Sequence, residues 1–208
     1  MSEIPGLSKG KYGFEGTIRL AAWAGFQSRD GVYGSLSSQE KSDGTCRLDT
    51  GGDMADDDPR IREYHVRAFE YLTQHQEEIK NKVLDALLVE YKQLQELYGY
   101  EGDEKEEFMP DITHSSEFSS LIGLSAVHLM NVEKEGVGYV GFEFGCTWDE
   151  EHGLGIMTYK DRVIKVGEAD SSFLTWVARQ DVDPSDSNQD NDLREDTEVE
   201  RKPWWKFW

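Results

Sequence analysis

Residues 148–153 read Trp-Asp-Glu-Glu-His-Gly and lie between two apolar runs. A loop there sets carboxylates beside an imidazole, the donor set of a divalent-metal site or a general acid–base pair. A metal-dependent hydrolase would draw on Asp149, Glu151 and His152, with Glu143 as a supporting carboxylate. The spacing is neither the helical H-E-x-x-H of zinc proteases nor the Asp/Asn/Gly ladder of a calcium loop. An architectural use fits the same residues. The carboxylates would accept from loop amides, His152 would donate to a neighbour, and Trp148 would cover the edge of the core. A third use is a partner-binding loop presenting Trp148, Asp149, Glu150 and Glu151.

The remaining chemistry-bearing residues are scattered. His65 lies near an apolar helical stripe, His75 at a suspected helix break, His114 in a loop, and His128 inside a strand, where a packed or edge histidine is usual. Cys46 and Cys146 have neither CxxC spacing nor a Cys/His cluster, which suits two reduced thiols. There is no G-x-S-x-G elbow, no G-x-G-x-x-G and no G-x-x-x-x-G-K-[ST], so neither a serine nucleophile nor a phosphate cradle is signalled. No cofactor is expected.

Three tryptophans, Trp204, Trp205 and Trp208, crowd the last residues beside Arg201, Lys202 and Lys206. They suit anchors in a partner groove, an interfacial membrane anchor, or a tail packed on its own domain. The acidic stretch before them argues against membrane contact.

These residues need elements to hold them. Residues 12–38 carry strand-like alternation, with an Asp30-Gly31 turn signal. Residues 50–58 read as a loop. Asp58 and Pro59 suit a helix N-terminus. The apolar spacing from Ile61 to Tyr98 then predicts two helices broken near Thr73-Gln74-His75 and stopped at Gly99. Residues 101–111 read as a polar loop, and Ser115 or Ser116 as the cap of a short helix. Strands are predicted over 124–132, 137–144, 154–159 and 162–166, with a final helix from Ser171 or Ser172. From Asp181 onward little is apolar, which predicts an acidic linker without a core. The expectation is an α+β domain over 1–180, with an antiparallel sheet of five to seven strands on two or three helices. A tail over 181–208 completes the chain.

Charge narrows the partners. The chain has 208 residues, with 42 Asp and Glu against 22 Lys and Arg, a net charge of −20. Such a surface repels phosphate backbones and anionic lipid, so neither nucleic acid nor membrane is expected as a partner. A basic protein is. The N-terminus has no signal-peptide pattern, and a cytoplasmic location is expected.

The run Tyr139 to Met157, with Gly141-Phe142-Glu143-Phe144-Gly145-Cys146-Thr147-Trp148-Asp149-Glu150-Glu151-His152-Gly153-Leu154-Gly155 at its centre, resembles a bacterial family of domains of unknown function. Ile122 to His128 and Arg162 to Asp170 fit the same resemblance. It implies an α+β bacterial domain of the kind encoded near toxin–immunity loci, and it carries no activity or functional residue. Two readings go forward. The first is a non-enzymatic protein-binding module, in its sharpest form an immunity-type inhibitor of a basic toxin. The second is the metal-dependent hydrolase.

Overall fold

The computed structural model describes residues 3–51 and 60–185. Nine strands and four α-helices follow in the order β1 Leu7–Lys9, β2 Phe14–Arg19, β3 Gln27–Asp30, β4 Leu36–Lys41, β5 Thr45–Asp49, α1 Glu63–Gln74, α2 Gln76–Tyr98, α3 Gly102–Phe108, β6 Ile122–Lys134, β7 Val137–Cys146, β8 Leu154–Tyr159, β9 Arg162–Gly167 and α4 Thr175–Val182. Seven strands form one sheet in the order β1-β2-β5-β6-β7-β8-β9, while β3 and β4 pair as a separate ribbon. Every neighbour pair in the large sheet is antiparallel except β5–β6, which sets Asp49 beside His128. A parallel pair requires a long crossover, and residues 60–121 with α1, α2 and α3 supply it.

The helices form where the apolar stripe is continuous. Ile79, Val83, Leu84, Leu87 and Tyr91 are the buried residues of α2. His75 separates it from α1, and Gly99 closes it in the left-handed region at φ 66°, the conformation glycine adopts without a Cβ penalty. Both features match the sequence expectation. The helix start differs. Asp58 and Pro59 lie outside the described residues, and α1 begins only at Glu63, where His65 Nδ1 accepts the Arg62 N–H at 3.1 Å. The expected loop over 101–111 contains α3. That helix buries nothing, so no apolar periodicity marks it, and its first-turn acids, Asp103 and Glu104, favour it through the helix dipole.

Both faces of the central strands are covered. Leu129, Val140, Phe142 and Ile156 join Trp23, Leu72 and Leu87 in the main core. Met130, Tyr139 and Met157 face the other way, packing with Val177 and Ala178 of α4. Burial on both sides is why β6 to β8 read as nearly continuous apolar runs rather than alternating ones. The second face is covered closely because its glycines permit it. A Cβ at Gly141 would overlap the Ser172 carbonyl, and one at Gly145 would overlap the Gly34 carbonyl. No described helix is long and apolar enough to cross a membrane.

Candidate functional site

The loop between β7 and β8 is organised by Asp149. Its Oδ1 accepts the backbone N–H of His152 at 2.8 Å and of Glu151 at 3.2 Å. Its Oδ2 accepts the Tyr98 hydroxyl at 2.7 Å, and His152 Nδ1 lies 3.2 Å from both oxygens. A short carboxylate that ties down amides two and three residues on is the ordinary use of Asp in a turn. Gly153, at φ 61°, then turns the chain into β8. Trp148 is 3% exposed and meets the Tyr91 ring at 5.7 Å, while Tyr100 donates to its carbonyl at 3.0 Å. Asp149 and Trp148 thus do what the architectural use expects of them, whereas among the described residues no loop amide donates to Glu150 or Glu151.

Asp149 and His152 do meet, but the carboxylate is spent on internal donors. Glu150 and Glu151 are exposed, and Glu150 lies 3.6 Å from the buried guanidinium of Arg29. Among the described residues no group of three or more His, Cys, Asp or Glu is placed to hold a metal ion. Glu143, expected as a supporting carboxylate of this loop, belongs elsewhere. Strand alternation turns it away from Phe142 and Phe144, onto the face that carries His128.

That second place is a buried ionic cluster across β5, β6 and β7. His128 Nδ1 lies 2.8 Å from Asp49 Oδ1, and its Nε2 lies 3.4 Å from Glu143 Oε2. The latter contact is an ion pair rather than a well-aligned hydrogen bond. Glu143 Oε1 also receives Ser125 Oγ at 3.0 Å and lies 3.3 Å from Arg47 Nη2. Burial alone would push the imidazole below its ordinary range. The hydrogen bond and charge of Asp49, and then the nearby Glu143 carboxylate, outweigh it and hold the pKa up at about 9. His128 is thus an imidazolium clamped between two carboxylates at neutral pH. Sequence reasoning placed it in a strand but missed the cluster. The signal lies in the parallel pairing of β5 with β6, which no local pattern announces.

The two thiols are inert. Both are free and buried, and burial pushes each up to about 12, far from a nucleophilic thiolate.

Acidic charge gathers outside these knots. The Tyr98 and Tyr100 rings stack at 6.3 Å. Burial raises the Tyr100 hydroxyl pKa first, and Asp149, Glu104 and Glu150 raise it further. Burial also raises Tyr98, then the bond to Asp149 and the charge of Glu168. Acids from α3, the Asp149 loop and the end of β9 therefore surround one aromatic pair. Beside it runs a groove of about 330 Å³ between the end of α2 and β9, lined by Leu94, Leu97, Trp148 and Val166 and by the acids Glu168 and Asp170.

Trp204, Trp205 and Trp208 lie outside the described residues. Asp181, expected to open the acidic linker, sits instead in α4. Arg162 donates to its carboxylate at 2.6 and 2.8 Å, Tyr139 at 2.6 Å and Lys134 at 3.2 Å. A family model described as a domain of unknown function (DUF6985) matches residues 14–174. No curated protein and no solved structure matches the chain.

Proposed function

The chain belongs to the domain-of-unknown-function family DUF6985, and we propose that it is a non-enzymatic protein-binding module whose acidic face docks a basic protein surface. The observation that carries the reading is the gathering of the exposed acids Glu104, Glu150 and Glu168 about the Tyr98–Tyr100 stack. Complementary potentials speed encounter and suppress wrong partners, while stacked tyrosines beside an apolar groove supply the desolvated contact on which affinity depends. An immunity-type inhibitor, which covers the basic active site of a toxin or nuclease, is the sharpest form of this function. The resemblance to domains near toxin–immunity loci points the same way. The partner surface at the loop is Glu150 and Glu151, with Trp148 and Asp149 holding them in place. The hydrolase reading has no three-ligand set among the described residues to support it.

The test is titration of the purified full chain, at low salt, with each basic product encoded beside it. A complex is expected that weakens as salt is added and that is lost in Glu104→Lys/Glu151→Lys. Failure of every neighbouring product to bind at low salt overturns the reading.

A further inference from the structure

We infer that the groove between the end of α2 and β9 is the seat of the chain's own segment Arg201–Trp208, so that this tail competes with a basic partner for one face. The inference rests on the docking reading above and names how that face is regulated.

The groove has the chemistry of a receptor for a cationic aromatic segment. Leu94, Leu97, Trp148 and Val166 line it together with the acids Glu168 and Asp170. Leu97 is 73% exposed, an unusual place for a large aliphatic side chain beside an indole and a tyrosine. Lys165 also borders the groove, where it offers an ammonium to the face of an incoming ring. A volume of about 330 Å³ is at the small end for a ligand cleft. It suits one anchoring indole flanked by cations rather than burial of every tail ring.

Charge and reach select the occupant. In a chain of net charge −20, residues 201–208 read Arg-Lys-Pro-Trp-Trp-Lys-Phe-Trp, with cations and indoles interleaved. A second copy of the chain would bring acid against acid. The path is short. Asp181 and Pro184, at the end of α4, border a cleft that includes Lys165, the residue that also borders the groove. The described chain ends at Ser185, next to a cleft that shares Lys165 with the groove. Fifteen residues separate Ser185 from Arg201, a length whose coil span is about 20 Å, and tethering over that span corresponds to an effective concentration on the order of 1 mM. A contact with a dissociation constant of about 100 µM in trans would then be about nine-tenths occupied in cis.

The experiment uses the full chain with its anchors removed, Trp204→Ser/Trp205→Ser/Trp208→Ser. A fluorescein-labelled peptide of residues 201–208 is titrated in, and anisotropy is read. Saturable binding is expected in the range of about 100 µM, and about tenfold weaker apparent binding to the unmodified chain, whose own tail fills the seat. Leu97→Arg in the anchor-free chain should weaken binding about tenfold, whereas Val89→Arg, at an 80% exposed site on the same helix, should change it less than about twofold. Absence of peptide binding overturns the inference, as do equal effects of the two arginines or equal affinity for the two chains. The partner titration is scored separately. A complex there without peptide binding here removes the tail seat alone. Peptide binding here without a complex there keeps the seat and removes the partner.

Discussion

Replacing His128 with Gln should cost the protein its resistance to mild alkali and little of its surface chemistry. The folded imidazole holds its proton up to about 9 against a reference of 6.5. A raised folded pKa contributes stability that is fully present below the unfolded value and lost as pH rises through the folded one. The window is therefore pH 6.5 to about 9. Each unit is worth 1.36 kcal/mol, so the proton contributes about 3 kcal/mol at pH 6 and almost nothing at pH 10. Removing one partner from a buried ionic cluster costs about 3–5 kcal/mol by a separate route, consistent with the first figure. Urea unfolding followed by tryptophan fluorescence from pH 6 to pH 10 reads both. The wild-type advantage over His128→Gln should fall by about 3 kcal/mol across the window. The cysteines also destabilise the fold at high pH, because burial raises their folded pKa to about 12 from 9.0, but both proteins carry them and the difference cancels. A wild-type advantage that is flat from pH 6 to pH 10 would refute the clamped imidazolium.

Other residues give independent readouts. Asp181→Asn removes the charge that Arg162, Tyr139 and Lys134 share and should lower unfolding free energy at neutral pH by about 2 kcal/mol in a urea titration. Its carboxyl is held well below the usual range, chiefly by the Arg162 hydrogen bond. That contribution is present above the ordinary Asp pKa and fades only as pH falls through the lower folded value, so the Asp181→Asn deficit should persist at pH 4. Gly141→Ala drives a methyl into the Ser172 carbonyl and should cost about 3 kcal/mol, read as a lowered Tm and early exchange of β7 amides. Cys46 and Cys146 should resist a disulfide-exchange reagent in the native protein at pH 8 and react fully in guanidinium, because both are buried with thiols pushed up to about 12.

Local signals in the chain proved readable where a single element decides them. The break at His75, the glycine stop at Gly99 and the two strands expected over 154–159 and 162–166 are each set by a few neighbouring residues, and each stands where local periodicity puts it. The Asp149 loop was legible too, because an Asp followed by free amides and then a glycine carries its own hydrogen-bonding solution. Long-range pairing was not. Asp49 and His128 are 79 residues apart and meet only because β5 runs parallel to β6. Glu143 was drawn toward Asp149 by closeness in sequence, yet side-chain alternation sends it to the opposite layer. A second covering layer likewise lies outside any window of sequence, which is why the glycines at 141 and 145 make sense only once Ser172 and Gly34 are seen above them.

The acids of this chain divide by what answers them. Asp49 and Glu143 are answered by His128 and Arg47, Asp149 by Tyr98 and its own loop, and Asp181 by Arg162, Lys134 and Tyr139. These carboxylates are bound into the fold, and removing one leaves a donor or a buried charge without its counterpart. Glu104, Glu106, Glu107 and Glu151 are exposed, so substituting them should leave stability within about 0.5 kcal/mol while changing the field a partner meets; Glu150, also exposed, stands between the two groups because it lies 3.6 Å from the buried Arg29 guanidinium. The two groups are thus separable by experiment. Charge reversal at Glu104 and Glu151 that abolishes partner binding at unchanged Tm locates function in the exposed set. If instead it lowers Tm by many degrees with binding intact, those acids belong to the architecture and the docking face lies elsewhere.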